Sequence, residues 1–229
     1  VFFFGVAAIA VPVASLVAIH LSRGPGATLA REKVRAVRSA LDPIIGGALE
    51  ERGLRLVEGH AKILRAAAVE FDIPVEWLGG VMFAESRGRS GQRSSAGALG
   101  LMQLVRSAAR DAGKREGIEL PADDAALVDA LLTDDALNVR LGAAHLAWLI
   151  EHRGSWSDEA VMVSYNAGRS RLFQWIEKSG SYGGFVAAEE ALARLGKPTT
   201  GALAYARQVL KARRTLQERG HLAAFGGPE

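Results

Sequence analysis

Asp72-Ile-Pro-Val-Glu-Trp-Leu-Gly-Gly-Val-Met-Phe-Ala-Glu85-Ser86 is the stretch whose reading decides the fold and the chemistry of this chain. Asp72 followed by Pro74 is a helix-start signal. Val75, Leu78, Val81 and Met82 then form one apolar stripe at helical spacing. Glu85 follows Met82 by three residues and Val81 by four, so it continues that apolar face. A carboxyl group placed there loses hydration, which raises its pKa from ~4.3 towards ~6. An acid that keeps its proton near neutral pH can protonate a glycosidic oxygen. The competing reading is an ordinary ion pair with Arg87, Arg89 or Arg93, and helix geometry alone leaves both open.

Outward from Ser86 the chain runs through a Gly/Ser-rich loop to Gly100. This is not a phosphate-binding loop, because no Gly-Lys-Ser/Thr follows at the required spacing. Leu101, Leu104, Val105, Ala108 and Ala112 predict an amphipathic helix, with Gln103 near its start, where its amide either binds sugar hydroxyls or, the reading its position alone favours, is an ordinary surface amide. Helices are expected near residues 58–71, 74–87, 101–112, 123–132, 134–152, 157–167, 184–195 and 201–219. Ser157 with Asp158 and Glu159 starts one of them, and Asn166-Ala167-Gly168 ends it. No stretch alternates in the β manner, so the expected fold class is all-α with little or no β-sheet.

Residues 1–22 read as a transmembrane anchor or signal sequence, since Val1 to Ile19 are almost wholly apolar over about the ~20 residues a bilayer needs. Residues 23–57 read as a helical spacer. Its basic helix from Ala27 to Leu41 is punctuated by Asp42-Pro43 and Gly46-Gly47. Residues 58–220 form the main domain, and 221–229 a short tail that should fray.

The 229 residues carry 49% hydrophobic and 23% charged side chains, enough apolar content to fold. The formal charge of +3 suits an anionic polymer only weakly, and no zinc-finger or aromatic RNA-binding pattern accompanies it, so no nucleic acid is expected. The absence of cysteine excludes disulfides, thiolate metal sites and a cysteine nucleophile. His145 and His152 lack the spacing of a helical zinc pair, and neither metal nor cofactor is expected.

Ala84-Glu85-Ser86-Arg87 followed by Gly97-Ala-Leu-Gly-Leu-Met-Gln-Leu104 resembles the Glu-Ser and Gly-Leu-Met-Gln motifs of family 1 lytic transglycosylases, the soluble-lytic-transglycosylase type. Asn138-Val-Arg-Leu-Gly-Ala-Ala-His-Leu146, Ser164-Tyr-Asn-Ala-Gly168 and Tyr205-Ala-Arg-Gln-Val-Leu210 are similar to that family's later motifs, in its order. The resemblance covers roughly Glu58 to Leu210. It implies a lysozyme-like helical domain that cleaves the β-1,4 bond between N-acetylmuramic acid and N-acetylglucosamine, leaving a 1,6-anhydro ring. It implies Glu85 as the acid and then the base, with Ser86, Met102, Gln103, Tyr165, Asn166 and Tyr205 binding substrate. Three positions depart from the family: His145 stands in place of Tyr, Gly201 in place of Glu, and Leu203 in place of a polar residue.

Most glycosidases need two carboxylates. Asp111, Glu116, Asp123 and Asp124 read instead as solvated or capping residues. Attack by the substrate's own 6-hydroxyl removes the need for a second acid, because the nucleophile is already close. The Tyr165 hydroxyl is expected to reach Glu85 or the reacting sugar, while Trp148 should pack in the core. The alternatives are a hydrolase resembling goose-type lysozyme and a weakly active glycan-binding component of an envelope-spanning assembly. The expected partners are peptidoglycan glycan strands and, through the first segment, a membrane. The expected state is a monomer on the periplasmic face of the bacterial envelope, anchored in the inner membrane or secreted.

Overall fold

The computed structural model describes residues 27–223, with side chains from Asp42 onward. The expected membrane segment, residues 1–22, lies outside the described residues. Among those that are described, no helix is long and apolar enough to cross a membrane. The chain divides after Arg52 into two compact units.

Helix α1 spans Ala27–Gly59 and runs straight through Pro43. The break expected at Asp42-Pro43 and Gly46-Gly47 is therefore absent. Proline removes a single N–H from the ladder, and Asp42 and Pro43 are exposed, so water can serve the carbonyl left without a partner. The second unit starts at Gly53, and Leu54 and Val57 in the last turns of α1 are buried.

Nine further helices follow among the described residues: α2 (Ala61–Glu70), α3 (Val75–Ser86), α4 (Arg106–Glu116), α5 (Asp124–Thr133), α6 (Asp135–Glu151), α7 (Asp158–Ala167), α8 (Arg169–Ser179), α9 (Tyr182–Arg194) and α10 (Ala202–Arg219). No strand forms among the described residues, only isolated bridges joining Leu99 to Arg93 and to Leu104. The all-α expectation holds. The expected helix 58–71 is split at His60, whose ring Nε2 meets the Gly88 carbonyl at 3.0 Å. Helix α8 was not foreseen, and α9 begins at Tyr182 rather than 184 because Ser181 accepts the Gly184 N–H and sets the start there.

Helix α3 lies at the centre of the second unit. It packs against α10, α2 and α6, and α10 also packs against α7. Leu78, Val81, Met82 and Phe83 are buried along it, each worth roughly 1.5–3 kcal/mol in transfer from water. The approach of α10 is close: a Cβ on Gly80 would lie 2.8 Å from the Val209 carbonyl oxygen. Glycine at the interior of a helix costs ~1 kcal/mol against alanine, and here it allows the two backbones to touch. Arg213 reinforces the seam, its guanidinium lying 4.0 Å from the centre of the Trp77 ring and 3.0 Å from Asp158 at the start of α7.

The expected tail is partly folded. After Gly220 the chain turns back, Leu222 is fully buried, and its carbonyl accepts a hydrogen bond from Arg65 at 3.3 Å. A hydrophobic contact just past a left-handed helix end is a common stop device, and it draws Leu222 into the core beside α3. Residues beyond Ala223 lie outside the description.

Candidate active site

Glu85 sits in the last turn of α3, part-buried between the buried stripe and the loop that follows. It has no ion pair among the described residues. Of the three arginines considered, Arg87 caps the helix in a left-handed conformation and lies over the Phe83 ring at 4.2 Å. Arg89 donates to the Ser86 carbonyl at 3.1 Å. Burial pushes the Glu85 carboxyl up from its ordinary 4.5 to about 7, and the Tyr205 hydroxyl offsets part of that rise. The group therefore keeps its proton to near-neutral pH.

Two tyrosines flank the acid, from two different helices. Tyr205, one turn into α10, has a buried hydroxyl without a partner at standard hydrogen-bond geometry, yet close enough to Glu85 to lower its pKa. Tyr165, near the end of α7, donates instead to the Met102 carbonyl at 3.3 Å. Tyr165 therefore does not donate to Glu85, and Tyr205 is the phenol whose influence the carboxyl feels. Burial, with the charge of Glu85 adding to it, raises both phenols well above 10, so both remain donors.

The loop between α3 and α4 is held as a unit. Leu99, Leu101 and Met102 are buried in it. Asn138 of α6, itself fully buried, accepts the Met102 N–H at 2.8 Å and donates to Leu99 and Leu131 carbonyls at 3.0 and 3.1 Å. The sequence had placed a helix over 101–112. The structure starts α4 at Arg106 instead, because the backbone turns through positive φ at Gly100 (74°) and Gln103 (46°). The Gln103 amide donates to Gly100 and Gln92 carbonyls at 2.9 and 3.2 Å. Its N–H groups are thus spent on the loop, and only the side-chain oxygen is left for a ligand.

Of the remaining candidates, Ser86 is buried and donates to the Met82 carbonyl at 3.2 Å, back along its own helix. Met102 is fully enclosed against α6, so its side chain packs while its backbone links Asn138 to Tyr165. Asn166 is exposed beside Tyr165. His145 packs against Tyr165 with ring centres 5.3 Å apart. Burial, aided by Arg115, lowers its pKa from 6.5 to about 4, so it is neutral at pH 7. Trp148 is part-buried and packs against the core as expected, and its outer side stacks on His152 at 4.8 Å, with Arg115 and Arg169 against its ring.

Of the other candidate acids, Asp111 and Glu116 are exposed on α4. Asp123 caps α5 by accepting the Ala126 N–H at 2.8 Å, and Asp124 pairs on the surface with Arg106 and Arg110. Sequence reasoning missed Asn138 as the anchor of the loop. Its place three and four residues before Leu141 and Gly142, on the buried face of the helix, was the available signal, since a buried amide must be hydrogen-bonded.

A raised acid at a helix end, two phenols beside it and a glycine-turned loop over Asn138 now stand together. Over residues 62–186 the sequence matches the Transglycosylase SLT domain. The chain belongs to this family. Within the SLT family it is 28% identical over 154 residues to a Haemophilus influenzae protein named as a soluble lytic murein transglycosylase, across 66% of this chain and 24% of that one. Its fold is similar to that of lytic transglycosylase Slt from Pseudomonas aeruginosa, solved as an inactive Glu-to-Gln mutant. The TM-score is 0.56 and the identity 25%, over 71% of this chain and 24% of that one. The 70 kDa soluble lytic transglycosylase from Escherichia coli shares the fold at TM-score 0.56 and 21% identity, over 69% of this chain and 24% of its own. The chain therefore spans about a quarter of the length of these relatives.

Proposed function

We propose that this SLT domain is a peptidoglycan lytic transglycosylase, cutting the β-1,4 bond from N-acetylmuramic acid to N-acetylglucosamine without water. The observation that carries the proposal is the Glu85 carboxyl, raised to about 7 by burial yet part-exposed at the end of its helix. The Pseudomonas relative, inactive as a Glu-to-Gln mutant, supports giving the acid role to a glutamate.

In the proposed reaction Glu85 gives its proton to the leaving 4-oxygen as the muramic C1–O4 bond breaks. The muramic 6-hydroxyl attacks C1 and closes the 1,6-anhydro ring. The Glu85 carboxylate then takes the 6-hydroxyl proton, which resets the acid. Proton transfer of this kind is worth roughly 10²–10⁴-fold, and the tethered nucleophile supplies effective molarity in place of an activated water. Tyr205 moderates the acid's pKa so that both half-reactions are accessible. Asn166 and the Gln103 side-chain oxygen are two polar groups that can meet sugar. Acting on that substrate puts the domain's proposed place of work on the periplasmic side of the envelope.

Digestion of purified sacculi with product mass analysis tests this reading. Anhydro-muropeptides are expected. Products one water heavier would make the domain a hydrolase, and no release at all would leave a glycan-binding module.

A further inference from the structure

Glu189 is a buried acid that the proposed chemistry does not use. It lies on α9 with 6% of its surface exposed. Its carboxylate accepts the Thr200 N–H at 3.2 and 3.0 Å and the Thr200 hydroxyl at 2.7 Å. Thr200 Oγ1 in turn accepts the Ala202 N–H at 3.2 Å, the first N–H of α10. An acid taken out of water costs several kcal/mol unless its oxygens are satisfied, and here they are all directed at one loop residue.

The residue that would ordinarily cap α10 is Gly201, at φ 77°, which has no side chain to do so. Glu189 and Thr200 together supply the missing cap from outside. The Tyr205 N–H then bonds the Gly201 carbonyl at 3.0 Å, which makes Tyr205 part of the first turn. One turn further on, Val209 is the residue whose carbonyl touches Gly80 of α3. Tyr205 is thus set between two fixed points, the Glu189–Thr200 latch behind it and the Gly80–Val209 contact ahead of it.

We infer that Glu189 is a positioning residue for the acid: through Thr200 it fixes the start of α10, and so holds the Tyr205 hydroxyl against Glu85. This rests on the acid role proposed for Glu85. The titratable groups facing Glu85 are Tyr205 from α10 and Tyr165 from α7. Tyr165 is tied to Met102 in the loop between α3 and α4, an anchor that the Tyr205 hydroxyl lacks, so loosening the start of α10 moves Tyr205 first. Because that hydroxyl lowers the Glu85 pKa, its withdrawal moves the pKa upward.

The test is ¹³C-detected NMR titration of Glu85 in the whole chain, alongside sacculus turnover against pH. Glu189→Gln replaces one accepting oxygen by an amide N–H₂ facing Thr200, and Thr200→Val removes the hydroxyl while keeping the side-chain shape. Both are expected to raise the Glu85 pKa and move the alkaline limb of turnover with it, lowering kcat with KM unchanged. Thr200→Ser, which keeps the hydroxyl, is expected to titrate as the parent. If Glu189→Gln does not fold, Thr200→Val carries the measurement. A Glu85 titration unchanged in the folded variants, even with a lower Tm, overturns the inference, because a purely structural strut would give that result. A parent protein that titrates as described but does not cut sacculi sinks the proposed activity and leaves the latch standing.

Discussion

Replacing Glu85 by Gln is expected to abolish glycan cleavage and, above neutral pH, to make the protein more stable. The magnitude follows from the site. Burial raises the carboxyl from 4.5 to about 7, and each pH unit of such a difference is worth ~1.36 kcal/mol. The folded state holds this proton more tightly than the unfolded one. The stabilisation from proton uptake is therefore whole below ~4.5, shrinks as pH rises, and is gone above ~7. Between pH 5 and pH 8 the parent should lose roughly 2.5 kcal/mol through this one group. The Glu85→Gln protein has no proton to lose there. Chemical unfolding of both proteins at several pH values isolates the effect, because every other titrating group is common to the two and cancels in the difference. The gap should widen towards alkaline pH by roughly 2.5 kcal/mol, about 5–10 °C in Tm for a domain of this size. Curves that stay parallel across that range would show that the carboxyl ionises as it does in water, and the account of the acid would fall with them.

Tyr205→Phe removes the hydroxyl that lowers the Glu85 pKa, so the alkaline limb of the pH–rate profile is expected to move upward, which sacculus turnover from pH 5 to 9 checks. Asn138→Ala strands the Met102 N–H and two carbonyls inside the core; it should cost roughly 2–4 kcal/mol, read by denaturant melts. Gly80→Ala pushes a methyl group into the Val209 carbonyl and should cost roughly 1–3 kcal/mol through overpacking, with turnover falling more than binding as α10 is displaced from the acid. Tyr165→Phe breaks the link to Met102 but leaves Tyr205 on the acid, so the Glu85 titration by NMR should stay near that of the parent.

The helical character of the chain and the place of Glu85 were legible because both depend on local spacing. Val81, Met82 and Glu85 share a face in any α-helix, whatever packs against it. The start of α7 was legible for the same reason, since Ser157 caps the Ala160 N–H from three residues away. What escaped was decided at long range. The start of α4 was misplaced because Asn138, far off in sequence, captures the Met102 N–H and lets Gln103 take a positive φ. Tyr165 and Tyr205 both sit on motifs, but only the packing of α10 against α3 decides which of them meets the acid. The burial of Leu222 likewise depends on the space that Gly79 leaves in α3.

The clasp that Gln103 makes on Gln92 and Gly100 has a practical corollary. It closes the neck of a small hairpin in which Ser94 pairs with Ala98 and Ser95, Ala96 and Gly97 stand in open water. A foreign peptide or a dye grafted at that tip would be mechanically insulated from the helix ends below, so the domain carries a ready attachment point within a few residues of its chemistry.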